Sequence, residues 1–501
     1  MPGAIVETRS GKVQGLERNG VQTFRGIPFA KPPVGDLRWL PPQREEPWHD
    51  VRDATEFSPE SAQTPFAMAE LFGGPQPAHS EDSLYLNVWT PGADDARRPV
   101  MVWIHGGAFT NGSGSTPWYD GTGFSKHGDV VVVTVNYRLG SLGFMHLADL
   151  FGDEFAGSGN AGILDQIAAL EWVRDNIEAF GGNPKNVTIF GESAGGGSVG
   201  TLLGTPNARG LFAGAIPQSG AASWFSSTDR ANDVAQRVVD ALQVKAGDTA
   251  ALRSKTVDEI LAAQTMSMLT LGGLAGDGIG LPFQPVVDGT VLPQSPLRAI
   301  AEGNATGVRV LIGTNRHEMT LFHLMDQSLA AIDEEKLVRR AGAWFAGNRA
   351  QDIVSGYLAR RAGEPIIEVW TDLSTDAVFR IPAIKLAEAQ VPHGPVWMYL
   401  FTWETPVFGG LRSTHALEIP FVWDTLEAPG SAIFTGGGEE RQGIADAMHT
   451  AWTAFAHGQG PGHPKLPEWP GYDLERRATM RFDATCELLD DPAGADRELW
   501  D

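Results

Sequence analysis

The run DVVVVTVNYR, residues 129–138, constrains the fold more than any other segment. Successive side chains of a strand point to opposite faces. A strand with one wet face therefore alternates apolar and polar residues, and this run does not. Both of its faces must be covered, which is the environment of a mostly parallel sheet flanked by helices. Other short apolar runs bounded by Gly, Pro or Asn read as its neighbours: Val100–Ile104, Val130–Tyr137, Val187–Phe190, Gly214–Ile216, Val308–Ile312 and Val396–Trp403. Helical patterns lie between them. The clearest is GNAGILDQIAALEWVRDNIEAFGGNP, where Ile163, Ile167, Leu170, Val173, Ile177 and Phe180 recur at steps of three and four and form one apolar stripe. Gly181 and Gly182 offer the left-handed cap, and Pro184 forbids continuation. The order of elements indicates an α/β architecture.

No linker separates independent units, so residues 1–501 are expected to form one domain. Residues 229–263 and 330–360 read as helical, 404–440 as loops and short helices, and the Gly-rich stretch 269–285 as a mobile loop. The net charge of −23 argues against nucleic acid, whose phosphates need clustered Lys and Arg, and weakly against anionic membranes and substrates. The one cysteine, Cys486, excludes an intrachain disulfide. Glu7 and Arg9 interrupt the place where a secretory signal would carry its apolar run, and no window suits a membrane span. A cytoplasmic protein without a membrane partner is expected, with a monomer as the expected state.

Chemistry enters at KNVTIFGESAGGG, where a strand runs straight into a Gly-flanked serine and then a helix. That turn lifts a serine oxygen above the sheet edge near a helix N-terminus. The pattern G-x-S-x-G alone is weak in a chain with 60 glycines, and it occurs twice, around Ser193 and around Ser198. Only Ser193 stands at a strand–helix junction; Ser198 falls more than a helical turn later. Attack on a carbonyl needs N–H donors for the developing oxyanion. Ala194, after the nucleophile, supplies one, and Gly106 and Gly107, after strand 100–104, supply a loop that can turn its N–H groups inward.

A serine also needs a histidine to take its proton and a carboxylate to fix that histidine. Five of the 12 histidines flank or follow the last strong strand: His393, His415, His449, His457 and His463. His415 is the first beyond it. Glu318 directly follows strand 308–312, with Asp288 and Asp376 as rivals. Spacing leaves these choices open.

The wider pattern closes them by resemblance. FRGIPFAKPPVGDLRW (24–39), EDSLYLNVWTP, VMVWIHGGAF, NYRLGSLGF, FGGNPKNVTIFGESAGG (180–196), PQSGA (217–221), GTNRHE (313–318), TDAVFRIPA (375–383) and THALEIPFVW (414–423) run nearly end to end. With them the chain resembles the type B carboxylesterases, the cholinesterase-like branch of the α/β-hydrolases. It looks especially similar to the bacterial esterases noted for cleaving p-nitrobenzyl and related aryl esters. The resemblance implies an α/β-hydrolase fold, a large mostly parallel sheet with helices on both faces and loop or helix insertions over the site. It makes Ser193 the nucleophile, Glu318 the acidic member and His415 the base, with Gly106, Gly107 and Ala194 as oxyanion donors. Secreted members of the family place a cysteine where this chain has Ser83.

The implied reaction is hydrolysis of uncharged carboxylic esters through an acyl-enzyme, with a small-molecule ester as partner and no metal or organic cofactor. No H-E-x-x-H, paired C-x-x-C or dinucleotide fingerprint is present. Phe109, Trp118, Ser219, Leu271, Met319 and Phe322 lie on loops expected near the mouth and would form an apolar pocket. Two rival readings stay open: an amide, carbamate or polyester hydrolase using the same triad, and a non-catalytic cholinesterase-like binding protein.

Overall fold

The computed structural model describes residues 2–65, 78–270, 281–342, 344, 349–407 and 409–501. Among these, a 13-stranded sheet organises the chain. Twelve of its strands form a continuous path: Pro2–Glu7 (β1), Lys12–Arg18 (β2), Val21–Pro28 (β3), Tyr85–Thr90 (β4), Arg98–Ile104 (β5), Val131–Val135 (β6), Gly182–Glu192 (β7), Gly214–Gln218 (β8), Arg309–Asn315 (β9), Val396–Phe401 (β10), Ala478–Phe482 (β11) and Glu487–Asp490 (β12). Their order in space is β1-β2-β3-β4-β6-β5-β7-β8-β9-β10-β11-β12. The run from β6 to β11 is parallel throughout, and antiparallel strands extend it at both ends. Short two-residue strands pair elsewhere.

Parity along the strands divides the core in two. Val100, Val102, Ile104, Val131, Val133, Ile189 and Ile312 join one buried cluster. Met101, Trp103, Val132, Phe190, Ile216 and Leu311 join the other. The uninterrupted apolar runs are thus explained: each strand has a dry neighbour on either face.

The helix Ala161–Asn176 (α1) continues as a 3-10 turn, Ile177–Phe180, and Gly181 closes it in the left-handed region at φ 79°. It is buried almost all round, not along one stripe. Asp165 and Gln166, off the apolar face, are buried as well. Arg138 pairs with both oxygens of Asp165, and Gln166 Nε2 donates to Ser198 Oγ at 3.0 Å. Asp165 and the amide N–H of Gln166 have buried partners, so their polarity does not mark a wet face. The second G-x-S-x-G motif therefore places its serine inside the packing.

The expected helical stretches appear as Thr228–Ala241, Thr249–Arg253, Val257–Thr270, Glu334–Ala341 and Arg349–Arg360. The Gly-rich stretch 269–285 departs from expectation at both described ends. Leu269 still belongs to a helix, while Leu281 and Phe283 are buried in the core, where apolar side chains anchor the segment. Residues 271–280, Leu271 among them, lie outside the described residues. Ser83 is buried with its hydroxyl 2.9 Å from that of Ser61. Among the described residues no helix is long and apolar enough to cross a membrane.

Candidate active site

Strands β5, β7, β8, β9 and β10 are neighbours in the sheet and all run the same way, so the loops after Ile104, Glu192, Gln218, Asn315 and Phe401 emerge at one edge. The carboxyl ends of parallel strands are where open α/β sheets build their sites. Ser193 with Ala194, Gly106 with Gly107, Glu318 and His415 follow four of these strand ends.

Ser193 is the junction between β7 and the helix Ala194–Gly204 (α2). Its backbone is held at φ 57°, ψ −122°, a conformation costly for a residue with a side chain and a mark of a functional turn. Its N–H donates to the Gln218 carbonyl at 2.9 Å, and its carbonyl accepts from Gly197. The flanking glycines are demanded by close approach. A Cβ on Gly191 would stand 2.5 Å from the Ile104 carbonyl oxygen, and one on Gly195 only 2.0 Å from it. Ser193 is thus pressed toward the loop after β5, where a Cβ on Gly106 would lie 3.1 Å from the serine Cβ.

That loop is built as an N–H cradle. Gly107, Ala108 and Phe109 have consecutive positive φ of 106°, 55° and 59°, which bunches successive N–H groups on one side. Among the described residues no turn or loop hydrogen bond uses the N–H of Gly106, Gly107 or Ala108. Ala194 opens α2, so its N–H lacks a partner within the helix. Ala108 was not singled out from the sequence, because an alanine gives no hint of a left-handed backbone. His105 starts the loop, stacked on Tyr137 at 4.4 Å, with its carbonyl accepting from the Tyr137 hydroxyl. Burial drives the His105 pKa down to about 4, so the ring is neutral.

His415 and Glu318 come together from loops after β10 and β9. Nδ1 of His415 donates to Oε2 of Glu318 at 2.7 Å, and Oε1 of Glu318 accepts the Asn315 N–H at 2.7 Å. Glu318 is fully buried and His415 nearly so. The other ring nitrogen, Nε2, lies 3.2 Å from Oε1 of Glu192; among the described residues no hydrogen bond joins it to Ser193. Burial opposes the imidazolium, but the carboxylates of Glu192 and Glu318 outweigh it and raise the His415 pKa to about 9. Burial also pushes Glu192 well above the carboxylate range, against the pull of His415. These two effects compete, since a protonated Glu192 withdraws its share of the field at the imidazole.

A third buried acid, Glu418, is held by Asn315 Nδ2 at 2.7 Å and Gln218 Nε2 at 3.2 Å, and burial followed by the Glu318 charge raises it to about 7. Sequence reasoning passed over Glu192 and Glu418. The signal was an isolated acid in an apolar run, as in HALEIPFVW, which buries only at a cost.

The rival groups are placed elsewhere. The rings of His393, His449, His457 and His463 pair with the carbonyls of Ala301, Val422, Gly128 and Ala447. Asp288 caps a turn at 290–292, and Asp376 accepts from Tyr357.

Of the pocket candidates, Phe322 reaches the site, its ring 5.1 Å from that of His415. Met319 is buried beside Val378 and Phe379, and Phe379, unnoticed in the sequence, stands 4.9 Å from His415 with Trp224 behind it. Ser219 is buried directly after β8, its N–H on the Gly313 carbonyl. Phe109 is buried edge-on to Phe144. Trp118 is packed on Phe434 in the cluster on the Trp103 face, with Nε1 donating to Pro429.

The elbow, the cradle and the strand order define an α/β-hydrolase. A profile of the carboxylesterase family matches residues 2–499. The chain is 39% identical to para-nitrobenzyl esterase of Bacillus subtilis, over 99% of this chain and 98% of that protein. It is 32% identical to phenmedipham hydrolase of Pseudarthrobacter oxydans, over 95% and 94%. The solved structure of the Geobacillus stearothermophilus carboxylesterase EST55 superposes with a TM-score of 0.90 at 44% identity, covering 99% of this chain and 100% of that one. The chain belongs to the carboxylesterase family and is a carboxylic ester hydrolase.

Proposed function

We propose that this enzyme cleaves uncharged carboxylic esters through an acyl-enzyme on Ser193. The observation that carries the reading is the 2.7 Å contact of His415 Nδ1 with Glu318, on adjacent strand ends beside the serine elbow. Glu318 fixes the tautomer in which Nε2 is free to accept a proton. Ser193 Oγ attacks the ester carbonyl as its proton passes to Nε2, and the oxyanion is received by the N–H groups of Gly106, Gly107 and Ala194, with Ala108 next in the same turn. His415 then protonates the departing alcohol, and water activated by the same ring releases the acid. The serine–histidine hydrogen bond forms when substrate displaces the imidazole from Glu192, since such contacts tighten on binding.

Phe322 and Phe379 present apolar surface beside the imidazole, with Trp224 and Met319 packed around Phe379. With the acids Glu192, Glu318 and Glu418 buried behind them, the site favours neutral acyl groups over anionic ones. The test pairs the two serines of the repeated motif on p-nitrophenyl esters. Ser193→Ala is expected to lose at least about a thousandfold in kcat/KM, and Ser198→Ala to stay near the wild type. Comparable activity in Ser193→Ala would sink the reading. Matched phenyl ester, anilide and carbamate substrates then rank the ester against the other acyl derivatives.

A further inference from the structure

The helix that brings Phe379 to the site is wound wider at that point. Helices Ile366–Thr375 (α3) and Ile381–Gln390 (α4) are joined by a π turn over Asp376–Arg380. Pro382, in the first turn of α4, has no N–H to return to the Val378 carbonyl, and a missing rung lets the backbone open. Phe379 sits on this turn, 4.9 Å from His415, stacked at 6.3 Å on Phe322 and edge-on at 5.6 Å to Trp224. One residue of register is worth about 100° around a helix axis. If the turn closed to ordinary α geometry, Phe379 would leave the imidazole.

The turn is tied to the end of the chain. Oδ2 of the buried Asp376 accepts from the Tyr357 hydroxyl at 2.5 Å, and that hydroxyl accepts from Trp500 Nε1 at 3.0 Å. Arg380 donates to the Pro492 carbonyl at 2.5 Å. Arg361 bridges Asp372 of α3 and Asp496, with contacts of 2.7 Å to each. Arg316, two residues before Glu318, holds Asp372 from the other side at 2.9 Å. Tyr357, Asp376 and Trp500 are all buried, so the two bonds that join them are shielded from water. A buried carboxyl stripped of its donor must find another, and the nearest adjustable backbone is its own turn.

We propose that this C-terminal latch sets Phe379 against His415, which makes Tyr357 and Trp500 positioning residues that govern which acyl groups the site accepts. The proposal rests on the role of His415 argued above. Releasing the latch lets the turn relax, Phe379 withdraws and the space beside the imidazole widens. Long acyl chains then gain on acetyl.

The experiment compares kcat/KM for p-nitrophenyl octanoate with that for the acetate in Tyr357→Phe, Trp500→Phe, Phe379→Ala and the double variant Tyr357→Phe/Phe379→Ala. The ratio of the two constants does not depend on the fraction of enzyme folded. The octanoate-to-acetate ratio is expected to rise at least about threefold in each latch variant, the scale of coupled neighbours. It should rise further in Phe379→Ala and not change again in the double variant. A lowered Tm with an unmoved ratio would show a merely structural tie and overturn the proposal, as would independent, additive effects in the double variant. Trp500→Phe keeps an aromatic ring there and removes the indole N–H together with the five-membered part of the ring, so it serves as the second latch variant where Tyr357→Phe fails to fold. Activity retained in Ser193→Ala would indict the catalytic reading itself. Activity lost there with an unmoved ratio indicts the latch alone.

Discussion

Glu318→Gln separates geometry from chemistry at the site. Two N–H donors converge on the two carboxylate oxygens, from Asn315 at 2.7 Å and from His415 Nδ1 at 2.7 Å. A glutamine has one acceptor to offer and presents N–H to the other donor. The Asn315 N–H is a buried backbone group with no second tautomer, and leaving it unpaired costs about 1–3 kcal/mol. The imidazole can carry its proton on either nitrogen at smaller cost. The glutamine oxygen therefore stays with Asn315, and His415 yields by moving its proton to Nε2. That tautomer cannot accept the serine proton. A carboxylate-to-amide change of this kind in a serine protease costs about 10⁴ in kcat, which corresponds to about 5.5 kcal/mol in the barrier. The assay is kcat and KM on p-nitrophenyl acetate at neutral pH, with thermal unfolding recorded alongside. The expected result is a fall in kcat of that order, KM little changed and Tm close to wild type. A loss of less than about tenfold with an intact fold would refute the tautomer argument and with it the assignment of Glu318.

Glu192→Gln removes the charge that does most to raise the His415 pKa from its ordinary value to about 9. Since only the neutral imidazole accepts a proton, the acid limb of the kcat/KM profile is expected to move to lower pH; an unmoved limb would show that Glu192 carries no charge beside the ring. Phe322→Ala removes a ring 5.1 Å from His415 and should shift the p-nitrophenyl ester series toward longer acyl chains. An unchanged chain-length profile would take Phe322 out of the pocket. Asp165→Ala strands the Arg138 guanidinium, whose side chain is 5% exposed in the pair. Chemical denaturation should show a loss of about 3–5 kcal/mol, and a loss below about 1 kcal/mol would mean the pair behaves as an exposed one.

What the sequence made legible follows from how burial writes itself into a chain. The central strands are dry on both faces, so they appear as unbroken apolar runs. The antiparallel margins are half wet and short, and segments such as KVQGLER and ELLD carry no comparable pattern. The serine elbow is local, a strand, a turn and a helix within a dozen residues, and reads directly. Glu318 and His415 are 97 residues apart, and nothing in their spacing chooses them over Asp288 or His449. What selects them is that β7, β8, β9 and β10 lie side by side, a fact of strand order and not of sequence distance.

Parity and phase explain the remaining gaps. Trp118 follows the loop after β5 as Phe109 does, yet the two side chains fall into the opposite buried clusters. A strand-edge loop offers no period from which to read that. Phe379 fails for the complementary reason. A strict helical period carried from α3 through α4 passes over the π turn at Asp376–Arg380 and assigns the following side chains to the wrong face. The residue that walls the imidazole is hidden by one extra residue in a helix. That displacement is recoverable only from Pro382, which removes a rung, and from Asp376, a buried acid that needs a partner from outside its own helix.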